Sequence, residues 1–318
     1  IDQFIENAFE FDVDALCDGK EVFIAGIMQH IEEAGVHSGD SSCVIPPYDM
    51  SDKIKKDIID MTTKLALELN VIGLINLQFA VKGNEAYVLE VNPRSSRTVP
   101  FVSKYSNVPL ANIAAQLSVG KKLKDFNLEE NNFNHIAVKK AVLPFKKFKN
   151  EKVFLGPEMK STGEVMGIDS EPGMAFLKAM QSDGYTVPNE GTAFVSISDI
   201  DKKRALPIIR DLATLNFTII ATKGTADFFT DNGIECTSIF KVGEGRPNVV
   251  DEILNDNIHL VINTPLGAQS RYDEEAIGKT SVMKNILTIT TLAGAKAAIA
   301  AMSHLDQVSV KPLQEYFK

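Results

Sequence analysis

The chain has 318 residues, of which 44% are hydrophobic and 24% charged, enough apolar material for the buried cores of two ordinary domains. Its formal net charge of −9 at pH 7 argues against a general affinity for nucleic acid, which needs a basic face. The most apolar stretch, Val71 to Val81, is broken by Asn76 and Gln78, so no membrane span and no membrane partner is expected.

Ile1 to Asp14 alternates acidic and apolar residues like an approach to a strand. With neither an initiator Met nor a charged-then-apolar leader, the expectation is a piece of a longer chain. Strands over Phe11–Leu16 and Val22–Met28 flank Asp18-Gly19, a hairpin turn signal. Ser51 caps a predicted helix whose apolar positions Ile54, Ile58, Met61, Leu65 and Leu69 recur at three or four residues. A second hairpin runs from Ile72–Val81 through Lys82-Gly83-Asn84 to Glu85–Asn92. A helix around Leu110–Val119, a polar connector from Lys121 to Asn134 and a strand over Val138–Leu143 follow. From Lys146 to Gly191 the pattern loosens, and Gly184 to Gly191 reads as a domain boundary.

Beyond it the order is regular. Strands are predicted at Thr192–Ile197, Phe217–Ala221, Leu260–Asn263 and Ile286–Ile289, and helices at Lys202–Leu215, Ala226–Asn232, Val249–Leu254, Glu274–Val282 and Gly294–Met302. Short strands joined by such helices imply a parallel sheet covered on both faces. Cys17, Cys43 and Cys236 are odd in number, widely spaced and without a CxxC, so free thiols in a reducing cytoplasm are expected. The five His residues form no zinc spacing.

Two constellations carry chemistry. Glu90 and Asn92, two apart on a strand, share a face, and the turn near Asn84 puts Gln78 within one residue of register with Glu90. Two amides and a carboxylate on one patch suit a hard cation such as Mg²⁺, although polar residues on an open sheet face are also ordinary. Arg94 and Arg97 follow Pro93 and either serve phosphoryl transfer or form a solvated surface. In the second half, Thr222-Lys223-Gly224-Thr225 follows a strand and opens a helix, a potential anion site. Lys241 and Asn263-Thr264 could converge on it, and Ser196 and Lys202 flank the first strand's exit; plain turn chemistry is the competing reading.

The segment LQFAVKGNEAYVLEVNPRSSRTVPFVSK resembles the signature of the ATP-grasp halves of carbamoyl-phosphate synthetase; GIMQHIEEAGVHSGDSS and LGPEMKSTGEVMGI resemble two further motifs of that family. Together they cover most of residues 5–170. ATKGTA, KVGEGRP and INTPLG resemble landmarks of the methylglyoxal-synthase-like domain that ends the family's large subunit. The resemblance implies an α/β chain: an α+β ATP-grasp subdomain with an antiparallel sheet, then a doubly wound parallel-sheet domain. The expected divisions are 1–120, the C-terminal portion of the second ATP-grasp domain; 121–188, its remainder and a connector; and 189–318, the allosteric domain.

Carried over position by position, Gln78, Glu90 and Asn92 hold Mg²⁺ or Mn²⁺ on the ATP phosphates, with K⁺ as a further cation. Glu10 meets the ribose, the backbone near Ile5 the adenine, and Gly35, Val36, His37 and Ser38 line the nucleotide pocket. Arg97 faces the transferring phosphoryl group, with Glu90 and Asn92 counted among the catalytic residues. The implied reaction phosphorylates carbamate with ATP in a cytoplasmic route to arginine and pyrimidines. The implied partners are a glutaminase small subunit and the N-terminal part of the large subunit. Ser196, Lys202, Thr222, Lys223, Gly224, Thr225, Lys241, Asn263 and Thr264 form the implied phosphate site for UMP or IMP.

Three departures qualify this. The family's glycine-rich phosphate loop and nucleotide-contacting lysine lie upstream of the position of Glu10 and are not among these residues, so poor ATP binding and no synthetase activity are expected of this piece alone. Thr264 stands where methylglyoxal synthases carry their catalytic Asp, which favours regulation over that elimination, and Pro265 replaces a Thr seen in several bacterial members. Glu32 and Asp40 match the family's ornithine site, but Lys140 replaces its third acid and puts ornithine activation in doubt. The competing readings are another ATP-grasp enzyme, such as a biotin carboxylase, and a nucleotide-sensing module without catalysis.

Overall fold

The computed structural model describes residues 5, 8–32, 34–129, 133–144, 158–264 and 271–317, with only the backbone of 271–274. Contacts divide the chain into two units: 1–141 with 168–171 and 309–318, and 142–167 with 172–308. This division differs from the sequence boundaries drawn above, because short segments of each unit lie within the sequence of the other.

A seven-stranded sheet has the order β5-β4-β1-β2-β3-β6-β7; its strands as far as β6 organise the first unit, and β7 falls largely to the second. The strands of this sheet are β1 (Phe9–Asp18), β2 (Val22–His30), β3 (Cys43–Ile45), β4 (Ile72–Lys82), β5 (Glu85–Asn92), β6 (Ile136–Val142) and β7 (Gly163–Asp169). Both expected hairpins form, β1 with β2 and β4 with β5. The long pairing of β1 with β4 brings the two hairpins together. Strand alternation then separates two faces. Phe11, Val13, Ile75, Leu77 and Phe79 join Ile54 and Ile58 of α1 (Asp52–Glu68) in the core. Glu10, Asp12 and Asp14 point the other way, beside Asn76 and Gln78.

The Ser51 side chain accepts from the Ile54 N–H at 3.3 Å, the expected N-cap. Leu69 is the helix C-cap and is exposed rather than part of the apolar stripe. Two helices escaped the sequence reading. α2 (Val99–Ser106) starts inside the Arg-containing motif with Pro100 in its first turn, and α3 (Leu110–Ser118) follows as expected. α4 (Pro172–Ser182) also starts on a proline, in the stretch that looked irregular.

In the second unit a five-stranded parallel sheet has the order β10-β9-β8-β11-β12. Its strands are β8 (Gly191–Ile197), β9 (Phe217–Thr222), β10 (Thr237–Ile239), β11 (Leu260–Thr264) and β12 (Leu287–Ile289). The helices are α5 (Lys202–Ala213), α6 (Lys223–Asp231), α7 (Val249–Leu254), α8 (Arg271–Met283) and α9 (Leu292–Met302). Phe194 and Val261 pack with Val249, Ile253 and Ile277, while α9 packs against α4 and α5. This is the parallel α/β architecture expected from the alternation. One correction concerns its second crossover: β9 runs to Thr222 and α6 starts at once at Lys223, so no turn intervenes and the helix does not wait until Ala226.

Candidate functional site

The register of β4 with β5 places Gln78 directly opposite Glu90, and Asn76 opposite Asn92. The register of β1 with β4 extends both rows, Asp12 opposite Gln78 and Asp14 opposite Asn76. Directly paired residues share a face, so one sheet surface carries six acids and amides, Asp12, Gln78 and Glu90 in one row and Asp14, Asn76 and Asn92 in the next, alongside Glu10. Gln78 Nε2 donates to Ser38 Oγ at 2.7 Å, and Glu10 Oε1 accepts the Gly35 N–H at 3.2 Å. The 35–38 segment is thereby tied across the same patch. Asn92 Nδ2 donates to Glu90 Oε1 at 2.6 Å.

With the Gln78 and Asn92 NH₂ groups engaged, their amide oxygens and the exposed Glu90 carboxylate remain as donors. This is an all-oxygen set, and it fits a hard divalent cation. His37 folds back on its own loop, its Nδ1 accepting the Gly39 N–H at 3.0 Å. Val36 is half-buried, as is Ile5, whose immediate neighbours lie outside the described residues.

Several residues that organise this patch were not singled out from sequence. Asp14, 1% exposed, ties down the segment after β5. Its Oδ1 accepts Asn76 Nδ2 at 3.0 Å and Ser96 Oγ at 2.7 Å, and its Oδ2 accepts Thr98 Oγ1 at 2.5 Å. Burial pushes the Asp14 carboxyl up to about 6, while the bonds from Thr98, Ser96 and Asn76 act the other way. Arg97 lies between those two hydroxyls and is exposed.

His30 lies with Nδ1 3.1 Å from Glu10 Oε2 and Nε2 3.2 Å from Asp12 Oδ2. Burial lowers its proton affinity, but Cys43 and Asp12 beside it more than reverse this, and its pKa stands well above the usual value. Lys139, fully buried on β6, donates to the Ser38 carbonyl at 3.2 Å. The alternation of acids at 10, 12 and 14 with apolar residues was the available signal for the acidic row; nothing local pointed to Lys139.

Of the residues matched to an ornithine site, Glu32 accepts the Ser42 N–H, and burial raises its pKa. Asp40 is buried, and Lys140 Nζ donates to the Ala141 carbonyl at 3.4 Å.

The second constellation gathers at the carboxyl ends of β8, β9 and β11, where open parallel sheets bind ligands. Ser196 pairs with Asn263 across β8 and β11. Lys202 Nζ bonds the Gly224 carbonyl at 2.7 Å and Asp199 Oδ1 at 2.6 Å. That hydrogen bond, together with the charges of Lys202 and then Lys241, holds Asp199 below its usual pKa. Lys223, Gly224 and Thr225 form the first turn of α6 rather than a turn before it, and Thr222 is its N-cap. Lys241 is exposed, 3.9 Å from Glu244. Thr264 Oγ1 is buried without a hydrogen-bond partner among the described residues. Pro265, and the Leu155-Gly156-Pro157 part of the third motif, lie outside the described residues.

Comparison with known proteins agrees with both halves. A family model described as carbamoyl-phosphate synthase L chain, ATP binding domain matches residues 1–126, and one described as MGS-like domain matches residues 204–290. The carbamoyl phosphate synthase large chain of Archaeoglobus fulgidus is 52% identical over 320 residues, covering 99% of this chain and 30% of that protein. The large chain of Acidobacterium capsulatum is likewise 52% identical, over 324 residues, with the same coverage. The chain matches the C-terminal part of carbamoyl phosphate synthase large chains over nearly its whole length.

It spans about 30% of the length of these large chains and corresponds to their C-terminal part. The biotin carboxylase domain of a single-chain bacterial carboxylase is 19% identical and covers 44% of this chain and 33% of its own, with a TM-score of 0.40. The match to the ATP-binding domain model spans the Gln78, Glu90 and Asn92 patch, and the match to the MGS-like domain model spans residues 222–225, 241 and 263–264. Among the described residues no helix is long and apolar enough to cross a membrane.

Proposed function

We propose that this chain supplies the metal-holding side of a site where ATP phosphorylates carbamate to carbamoyl phosphate, and a domain that responds to nucleotide effectors. The observation that most supports it is the direct pairing of Gln78 with Glu90, beside Asn92 and a 35–38 segment bonded to Glu10 and Gln78. In this reading Gln78, Glu90 and Asn92 hold Mg²⁺ or Mn²⁺, and K⁺ is a further cation. A divalent ion there neutralises the charge of the nucleotide's phosphates. Glu10 meets the ribose and the backbone near Ile5 the adenine, while residues 35–38 wall the nucleotide. Arg97 stabilises the transferring phosphoryl group. The N-terminal part of the large chain and a glutaminase small subunit complete the enzyme, and its product feeds arginine and pyrimidine synthesis.

Carbamoyl phosphate and ADP give ATP by the reverse of this one step, which isolates the site from the rest of the enzyme. In a complete large chain, Arg97→Ala is expected to slow ATP formation by on the order of a hundredfold or more. An unchanged rate would remove Arg97 from the mechanism.

The second unit takes the phosphate of UMP or IMP among Ser196, Lys202, residues 222–225, Lys241, Asn263 and Thr264. The Asp199 carboxylate already engages Lys202 and must give way to an anionic ligand. In calorimetric titrations with UMP and IMP, Lys241→Ala is expected to weaken binding about tenfold, the scale of one lost charge-assisted contact. Asp199→Ala is expected to tighten it. Equal affinities for wild type and both variants would place the effector elsewhere. With an ammonium at position 140, ornithine is not expected to bind.

A further inference from the structure

We propose that Asp12, His30 and Cys43 form a buried site for a thiophilic divalent transition-metal ion, of which Zn²⁺ is the natural example. The three residues lie on adjacent strands β1, β2 and β3, with His30 directly paired to Cys43. One ligand atom from each, the Asp12 carboxylate, an imidazole nitrogen and Cys43 Sγ, all lie within 4.8 Å of one another. Asp12 and His30 are 2% exposed and Cys43 is fully buried.

Two independent features point to an ion rather than to packing alone. Asp12 Oδ1 is buried without a hydrogen-bond partner among the described residues, a costly state for a carboxylate oxygen. Behind the imidazole, Glu10 Oε2 stands 3.1 Å from His30 Nδ1, off the hydrogen-bond direction but at ion-pair distance. A carboxylate behind a histidine is the arrangement that fixes a metal-ligating ring.

The donor set also differs in kind from the Gln78–Glu90–Asn92 patch. Nitrogen, sulfur and one carboxylate suit Zn²⁺ or Co²⁺ in tetrahedral geometry, with a fourth position left for water, whereas all-oxygen sites suit Mg²⁺. Charge balances as well: a dication with one thiolate, one carboxylate and a neutral imidazole is neutral overall. The ion displaces to solvent any proton on the ligating sulfur and imidazole nitrogen. His30 and Cys43 are the two stems of the loop that carries Gly35, Val36, His37 and Ser38. An ion bridging them closes the base of that loop, much as a disulfide would.

Co²⁺ is the probe, because a thiolate-to-cobalt charge-transfer band reports sulfur ligation directly. The folded chain is titrated with CoCl₂, alongside Cys43→Ser, His30→Gln and the control variants Cys17→Ser and Cys236→Ser. Cys236 is a poor competitor, since burial pushes its thiol up to about 11. The wild type and both controls are expected to bind one Co²⁺ with the band. Cys43→Ser is expected to lose the band, and His30→Gln to weaken binding at least tenfold. X-ray absorption of the Zn²⁺-loaded wild type, expected to show one sulfur among nitrogen and oxygen neighbours, covers the case in which a variant fails to fold. Absence of the band in wild type, its survival in Cys43→Ser, or a sulfur-free zinc shell would overturn the proposal.

Discussion

Gly167→Ala is expected to destabilise the second unit by roughly 3 kcal/mol or more, among the largest effects of any single methyl in the chain. A Cβ built at Gly167 on β7 meets the Ala175 carbonyl oxygen at 1.9 Å and the Ala179 nitrogen at 2.5 Å. Both are backbone atoms of α4, so no side chain can swing aside, and strand and helix must separate. Met174, Phe176, Leu177 and Met180, all buried on α4, then lose packing. For a unit of this size each kcal/mol moves the melting temperature by roughly 2–4 °C, so thermal unfolding should shift by about 10 °C. An unchanged midpoint would show that β7 and α4 do not touch as described. The same contact gives a physical reason for the glycine in STGEVMGI, which the resemblance alone left unexplained.

In a complete large chain, Asp14→Ala is expected to leave the protein folded and to cut phosphoryl transfer about a hundredfold, through kcat more than KM. Asp14 is the shared acceptor for Asn76, Ser96 and Thr98. Without it the Ser96 and Thr98 hydroxyls, already 2.8 Å apart, satisfy each other, and Asn76 Nδ2 loses its strongest acceptor. The stability cost is modest, roughly 2 kcal/mol, because a carboxylate that burial disfavours leaves at the same time. The Arg97 loop, however, loses its tether to β1, and a misplacement of about 1 Å is enough for a hundredfold loss. Asp14→Asn keeps an acceptor and adds a donor that can face Thr98, so it should recover most of the rate. Equal rates for Asp14→Ala and wild type would mean that the loop is held by other contacts.

The hairpins were legible because a short turn fixes register to within a residue: counted from Lys82-Gly83-Asn84, Gln78 falls opposite Leu89, and a one-residue shift between Phe79 and Gln78 brings it to Glu90. The regular strands and helices after Gly191 were legible from periodicity, since each parallel strand is a short apolar run bounded by polar turns. What stayed hidden was non-local. β1 lies between β4 and β2, an order that no local pattern encodes. Asp12, Asp14, His30, Cys43 and Lys139 come together only through it. Lys139 in particular reads as an ordinary charged residue until the neighbouring strand buries it. The helices that begin at Val99 and Pro172 were not drawn from the sequence, although a proline in the first turn, Pro100 in one and Pro172 in the other, is compatible with helix.

The central claim is that Gln78, Glu90 and Asn92 hold the divalent ion of an ATP site. Mn²⁺ binding at saturating ATP, followed through the relaxation of water protons, tests it most directly. A complete wild-type large chain is compared with one carrying Glu90→Gln, an exposed position where the substitution should not disturb folding. Mn²⁺ affinity is expected to fall at least tenfold in Glu90→Gln, with the melting temperature unchanged. Equal Mn²⁺ affinity in the two proteins would contradict it.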